Sequence, residues 1–309
     1  MSESIDCAIV GGGPAGLSAA IYLSRFRRRV VVFDRGGSRA ALIPVSHNHP
    51  GYPQGVPGKQ LLAQMGEQAQ RYGAELREGD VRVIAPEGDE WRLSGAGSDV
   101  VARTVLFATG VDNRCPELTR EVHAAAVAAG KLRYCPICDG WEAGGEEFTG
   151  RIGVVGAESH GVAEALFLRN YSPNVTLFTL AECELHEKDR ANLAEHGVVW
   201  DPRPVTNYDF SGPAVRLCFG DGEAAEVDTL YPALGSEPNI TLIQALGLRT
   251  DKEDCVLVDD HQRLGVKGLY AAGDVVAALD QISVAMGQAA IAATTIHNDL
   301  RERDGHVPS

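Results

Sequence analysis

The sequence predicts an α/β chain of two doubly wound domains, the second inserted in the first. Three observations carry this. An apolar strand at residues 7–10 runs into a glycine turn, a helix and a second apolar strand at 30–34. The same strand–turn–helix–strand pattern recurs from Arg151. Near the end, Gly268-Leu269-Tyr270-Ala271-Ala272-Gly273-Asp274 leads into a small-residue helix that returns to the neighbourhood of the first unit. Boundaries near Asp112 and Ser236 divide the chain into residues 1–112 plus 237–309 and an insert of 113–236.

Composition agrees with two such domains. The 309 residues amount to about two domains at ~100–200 residues each. Hydrophobic residues make up 44% and charged residues 23%, an ordinary globular balance. With 42 acidic and 28 basic side chains the net charge is −14, which argues against nucleic acid or an anionic membrane surface as partner. No apolar run reaches the ~18–20 residues of a membrane span. The opening Met-Ser-Glu-Ser-Ile-Asp lacks the basic and apolar parts of a signal peptide. The expectation is a cytoplasmic protein.

In chain order, residues 17–26 read as a helix, and 36–58 as a long irregular loop, uncommon inside a compact domain unless functional. A helix is expected over 61–72, short strands near 75–84, 90–94 and 100–103, and a buried strand at 105–108. In the insert, strand 152–155, helix 162–170 and strand 175–180 follow. Helix 283–298, rich in alanine, suits close packing either inside the fold or at a dimer interface.

The first turn, Gly11-Gly12-Gly13-Pro14-Ala15-Gly16, carries chemistry. Gly11 permits the tight turn, Gly13 lets backbone approach a pyrophosphate, and Gly16 lets the helix sit close to the sheet. The helix N-terminus offers N–H groups and partial positive charge to phosphates. Asp34, 18 residues beyond Gly16, stands where an acid hydrogen-bonds ribose hydroxyls. That acid repels a 2′-phosphate, so the site suits FAD or NAD better than NADP.

Seven cysteines, an odd number spread over a long chain, do not form a secreted disulfide framework. One close pair stands out in Tyr134-Cys135-Pro136-Ile137-Cys138-Asp139-Gly140. A two-residue gap lets a short loop close into a disulfide and often lowers one thiol's pKa. Asp139 is placed to move a proton during exchange. A zinc site needs four ligands, with Cys115 and His123 the nearest to complete it. A pair of inert thiols is the third reading. Beside a dinucleotide turn, a redox disulfide is favoured, and the other five cysteines read as small core residues.

Together the Gly11–Gly16 turn, Ala108-Thr109-Gly110, Cys135-Pro136-Ile137-Cys138-Asp139-Gly140 and the Gly268–Val275 segment resemble the thioredoxin reductase family of flavoprotein disulfide reductases over nearly the whole chain. The resemblance implies a discontinuous FAD domain, an inserted pyridine-nucleotide-type domain bearing the cysteines, a homodimer, and rotation of one domain against the other. It places Gly11, Gly13, Pro14, Ala15, Gly16, Asp34, Ala108, Thr109, Gly110, Gly273 and Asp274 around FAD, with Asp274 on the ribityl chain. It places Gln281 and Ile282 at the flavin pyrimidine and Asn48 near the isoalloxazine. It implies that Cys138 faces the flavin while Cys135 exchanges with substrate, and that Asp139 shuttles the proton.

The insert departs from the family. Its turn reads Gly156-Ala157-Glu158-Ser159-His160-Gly161, with Glu158 where the second glycine belongs. A side chain there blocks close backbone approach, and its carboxylate repels pyrophosphate: two charges ~4 Å apart interact by about 1 kcal/mol in water and about 4 at an effective dielectric of 20. The family's His-Arg-Arg cluster for the 2′-phosphate is replaced by Thr179-Leu180-Ala181-Glu182, and Glu184 and Glu187 add negative charge. The expectation is that NADPH is not used efficiently, while a second dinucleotide in the insert stays open. Electrons then come from ferredoxin, another flavin or a small reductant, and the partner is a thioredoxin-like protein or a small dithiol or disulfide. Two alternatives stand beside this: a dithiol oxidase that passes electrons to oxygen, and an NAD(P)H-dependent reductase with an atypical nucleotide site.

Overall fold

The computed structural model describes residues 5–156, 158–180 and 184–306, save the side chains of Ser98 and Glu158. Ala157, Ala181, Glu182 and Cys183, on which part of the insert reading rests, lie outside the described residues, as does the side chain of Glu158. Two compact units emerge. The first comprises the chain up to Ala41, Pro57–Asp112 and the chain from Glu237; the second comprises Leu42–Val56 and Asn113–Ser236. Both are Rossmann-like α/β units, the second nested within the first. The outgoing and returning segments, Val111–Asn113 and Ser236–Pro238, pair as a two-stranded sheet.

The first unit is built on a seven-stranded sheet in the order Glu75–Glu78, Val30–Asp34, Ile5–Val10, Ser98–Phe107, Glu90–Ala96, Asp80–Glu87, with Leu269–Ala271 also pairing Ser98–Phe107. The parallel centre is covered on both faces, so its strands are continuous apolar runs: Cys7, Ala8 and Ile9 are fully buried, as are Val105, Leu106 and Phe107. Helix Pro14–Arg25 starts three residues before its expected start, because Pro14 at the first helical position needs no N–H partner. Residues 98–107 form one strand where two were expected, and the segment expected as one strand near 75–84 splits in two at Gly79. The closing helix runs Ile282–Arg303. Its Ala285, Ala289, Ala292, Ala293, Ile296 and Leu300 pack with Ala19, Ala20 and Leu23 of the first helix in one core. The small-residue stripe is thus filled from within its own unit.

The second unit has a six-stranded sheet in the order Ala224–Val227, Val215–Phe219, Val199–Asp209, Val175–Thr179, Ile152–Gly156, Thr229–Ala233. One core on it gathers Val154, Val162, Ala165, Leu168 and Tyr231, and another gathers Val155, Phe178, Leu217 and Leu230. Helix Arg120–Ala128 is capped by the Thr119 hydroxyl, which accepts from the Val122 N–H at 3.3 Å. No helix among the described residues is long and apolar enough to cross a membrane.

Candidate active site

In the first unit the glycine turn is a tight backbone crossing. Gly11 has φ +111°, and a Cβ there would meet the Ala108 carbonyl oxygen at 2.2 Å. A Cβ on Gly16 would sit 1.9 Å from the Gly11 carbonyl oxygen, so only glycine lets the helix start against the strand. Helix Pro14–Arg25 has no acid in its first turn and no side-chain cap at Gly13, which leaves its N-terminal dipole to an anion. Asp34 closes its strand with its carboxylate against Gly12 and accepts the Gly36 N–H at 3.1 Å.

Other expected residues meet the same turn. A Cβ at Gly273 would lie 2.8 Å from the Ala15 Cβ, so the Gly273 loop touches the helix start. Ala108 is the turn's backbone neighbour, and the Thr109 hydroxyl oxygen is buried without a partner. Asp274 accepts from Arg39 Nη2 at 2.7 Å, and Asp280 accepts from the same nitrogen at 3.1 Å. Burial and the neighbouring Asp274 hold the Asp280 carboxyl above the usual carboxylate range, against the pull of Arg39. The Gln288 amide oxygen accepts the Gly273 N–H at 2.8 Å. Gln281 and Ile282 begin the closing helix, which also carries no acid in its first turn. Arg39 and Gln288 escaped sequence reasoning: one lies in an irregular loop and the other inside a helix, without a motif.

Helix Pro136–Gly144 carries the cysteine pair in the second unit. Cys135 is its N-cap and Cys138 lies in its first turn, and the two sulfurs are bonded as a disulfide. Cys135 Sγ accepts the Cys138 N–H at 3.1 Å. This hydrogen bond and the helix N-terminus both favour negative charge on Cys135 once the disulfide opens. Asn48, from the irregular loop, donates to the Ile137 carbonyl between the cysteines at 3.3 Å and accepts from Ser46 Oγ at 3.2 Å.

Asp139 breaks the helical conformation, with φ −146° and ψ 16°. Its Oδ1 accepts from Tyr231 OH at 2.7 Å, and its Oδ2 pairs with Arg133 Nη1 at 3.0 Å. Burial raises its carboxyl above the usual range, opposed by Arg133 and Tyr231. Glu164, on helix Glu158–Leu168, has a buried Oε1 with no hydrogen-bond partner. Burial and the charge of Asp139 push it up to about 7. Gly140 lies against Tyr171, whose ring would be 2.5 Å from a Cβ. Ile137 and Trp141 stand exposed around the pair, and Trp141 meets Phe148 edge-on at 4.9 Å. Arg133, Tyr231 and Glu164 were not legible in sequence, since each comes from a different element.

The expectation that the other cysteines are core residues holds for Cys7, is only half met by the half-buried Cys218 and Cys255, and fails for Cys115, which is exposed, while Cys183 lies outside the described residues. Tyr134 OH donates to Cys115 Sγ at 3.1 Å and lies 2.7 Å from His123 Nε2, itself 3.6 Å from the sulfur. Burial lowers the His123 pKa. Among the described residues no three His, Cys, Asp or Glu side chains gather as metal ligands.

The family model for pyridine nucleotide-disulphide oxidoreductases matches residues 5–289. The chain belongs to this family. It is 27% identical to thioredoxin reductase from Bacillus subtilis, over 98% of this chain and 97% of that one. It is 30% identical to NADPH-dependent thioredoxin reductase 3 from Arabidopsis thaliana, over 87% of this chain but 53% of that longer one. Among solved structures it superposes on that of HlmI with a TM-score of 0.90 at 26% identity, covering 99% of this chain and 95% of the other. It is therefore a thioredoxin-reductase-like, FAD-dependent disulfide oxidoreductase with Cys135–Cys138 as its active-site disulfide.

The first unit fits FAD on its own geometry. The turn that a Cβ would fill, the uncapped helix N-terminus and the orphaned Thr109 hydroxyl together present the groups a dinucleotide needs. The second unit repeats the tight turn, with Gly161 against Gly156, since a Cβ on Gly161 would lie 3.1 Å from the Gly156 carbonyl carbon. Past strand Val175–Thr179 the described residues bring Leu180, 40% exposed, and then no basic side chain apart from His186 before Lys188.

Proposed function

We propose that this protein is an FAD-dependent dithiol oxidase that closes a disulfide in a small-molecule or protein dithiol. The observation that carries this reading is the contrast between the units: an intact glycine turn with an uncapped helix N-terminus in the first, and in the second a redox disulfide together with a nucleotide turn whose sequence lacks the second glycine and the basic cluster. Gly11, Gly13, Pro14, Ala15, Gly16, Asp34, Ala108, Thr109, Gly110, Gly273 and Asp274 would hold the cofactor, with Gln281, Ile282 and Asn48 toward its ring. The chemistry that bound FAD supplies is two-electron transfer, with dioxygen as terminal acceptor.

The rest belongs to the chain. A substrate thiolate attacks Cys135 Sγ, the Cys135–Cys138 bond breaks, and a mixed disulfide forms. Cys138 leaves as a thiolate, and Asp139 supplies its proton. The second substrate thiol then displaces Cys135, so the substrate leaves as a disulfide and the enzyme holds two thiols. The Cys138 N–H and the helix N-terminus stabilise Cys135 as the leaving thiolate. The balance over the cycle is one dithiol plus O2 to one disulfide plus H2O2. Exposed Ile137 and Trp141 give an apolar substrate a surface beside the sulfurs.

A second reading, an NAD(P)H-dependent reductase acting on a thioredoxin-like protein, is favoured by the names and identities of the relatives. Anaerobic titration of the yellow holoenzyme with a dithiol, NADPH, NADH and reduced ferredoxin separates the readings. The oxidase bleaches with the dithiol and recovers in air with one equivalent of peroxide. Fast stoichiometric bleaching by NADPH overturns the oxidase reading in favour of the reductase. Bleaching by ferredoxin alone returns the protein to a reductase with a non-nicotinamide donor. A Cys135→Ser enzyme with unchanged turnover overturns all three.

A further inference from the structure

Disulfide exchange at Cys135–Cys138 needs a proton delivered to a leaving sulfur, and the site holds a second carboxyl besides Asp139. Helix Glu158–Leu168 packs against helix Pro136–Gly144, and Glu164 brings to that contact a carboxyl oxygen that is buried and unpartnered. When Glu164 is ionised, that oxygen has no donor to offset its loss of water. The groups around it are few. Asp139 comes from the cysteine helix and Tyr231 from strand Thr229–Ala233, while Glu142 and Arg133 act on Asp139. Arg133 is held by Asp139 Oδ2 at 3.0 Å. His47 Nδ1 lies 4.0 Å from Glu142 Oε1.

We infer that Glu164 is a positioning residue which, with Asp139, forms a two-carboxyl proton store beside the cysteine helix. Two neighbouring carboxyls, of which Asp139 has the cation Arg133 as partner, resist ionising together, so the pair holds a proton to higher pH than an isolated carboxyl does. When Asp139 gives its proton to the leaving Cys138 sulfur, Glu164 retains or regains one in its place. Its negative charge, when present, strengthens the hold of Asp139 on the next proton. The inference rests on the reading of Asp139 as proton donor.

The test is the anaerobic rate at which dithiothreitol bleaches the holoenzyme from pH 5 to 9, divided by the thiolate fraction of the reductant. In wild type this rate falls along an alkaline limb as Asp139 loses its proton with rising pH. In Glu164→Gln, which keeps size and polarity but cannot ionise, the limb moves down by about one pH unit, leaving the rate about tenfold lower at pH 8 and unchanged at pH 5. Glu164→Asp keeps a carboxyl and restores the limb toward its original position, which a purely structural role does not require. Infrared difference spectra of oxidised and reduced enzyme show a protonated-carboxyl band that is lost in Glu164→Gln. A limb and band unmoved in Glu164→Gln overturn the inference. If Asp139→Asn retains the wild-type limb, Asp139 is not the donor and the underlying reading fails with it.

Discussion

Replacing Asp139 with Asn removes a proton donor while leaving its shape. The amide oxygen still accepts from Tyr231 OH, which donates to Asp139 Oδ1 at 2.7 Å. In the ionised state of Asp139 the substitution also removes the ion pair with Arg133 at 3.0 Å, between side chains that are each 20% exposed. At an effective dielectric of about 20 that attraction is about 5–6 kcal/mol gross. Rehydration of Arg133 and the remaining neutral hydrogen bond return much of it, for a net destabilisation of about 1–3 kcal/mol. The kinetic loss is larger. A positioned general acid contributes about 10²–10⁴-fold. At 1.36 kcal/mol per decade that is about 2.7–5.4 kcal/mol of barrier. Stopped-flow bleaching by an excess of dithiol measures the rate, and a thermal melt of the same sample shows that the fold persists. A variant that bleaches within about twofold of wild type between pH 6 and 8 refutes the assignment.

Three further outcomes follow from the geometry. Gly16→Ala places a Cβ 1.9 Å from the Gly11 carbonyl oxygen, which the helix relieves only by leaving the turn, so the protein purifies with little flavin; absorbance at 450 nm relative to 280 nm in a folded sample checks this. Burial pushes the Cys7 thiol up to about 12 from its ordinary 9.0. The folded state therefore holds the Cys7 proton more tightly than the unfolded chain, and stability is lost as pH rises above 9, by about 1.4 kcal/mol per pH unit from this group. Urea unfolding of wild type and Cys7→Ala between pH 8 and 10.5 shows a steeper fall in wild type. With the disulfide closed, iodoacetamide labels Cys115 first among the described free thiols and Cys7 last, read by peptide mass, because Cys115 is exposed with Tyr134 donating to its sulfur.

Much of the site was legible as local chemistry. The Gly11–Gly16 turn, Asp34 and the Cys135–Cys138 pair each lie within a short stretch whose spacing is the signal. The strands of the second unit from Val199 to Ala233 gave a weaker signal. Pro202 and Pro204 interrupt the first of them, and the register of Val199–Asp209 with Val175–Thr179 shifts between Asp201 and Pro204, so no simple alternation shows. Cys115 misled for a related reason: composition says that cysteines favour the core, but position in a loop before helix Arg120–Ala128 leaves this one exposed.

The sequence by itself determined the nested pair of βαβ units, the cofactor turn and the redox couple, because these are properties of neighbouring residues and of fixed spacing. Only the tertiary structure decided what surrounds the couple. Arg133, Asp139, Glu164 and Tyr231 come from a loop, two helices and a strand as much as 98 residues apart. Their proton affinities follow from mutual distance and from exclusion of water, two quantities that exist only once the second unit has folded.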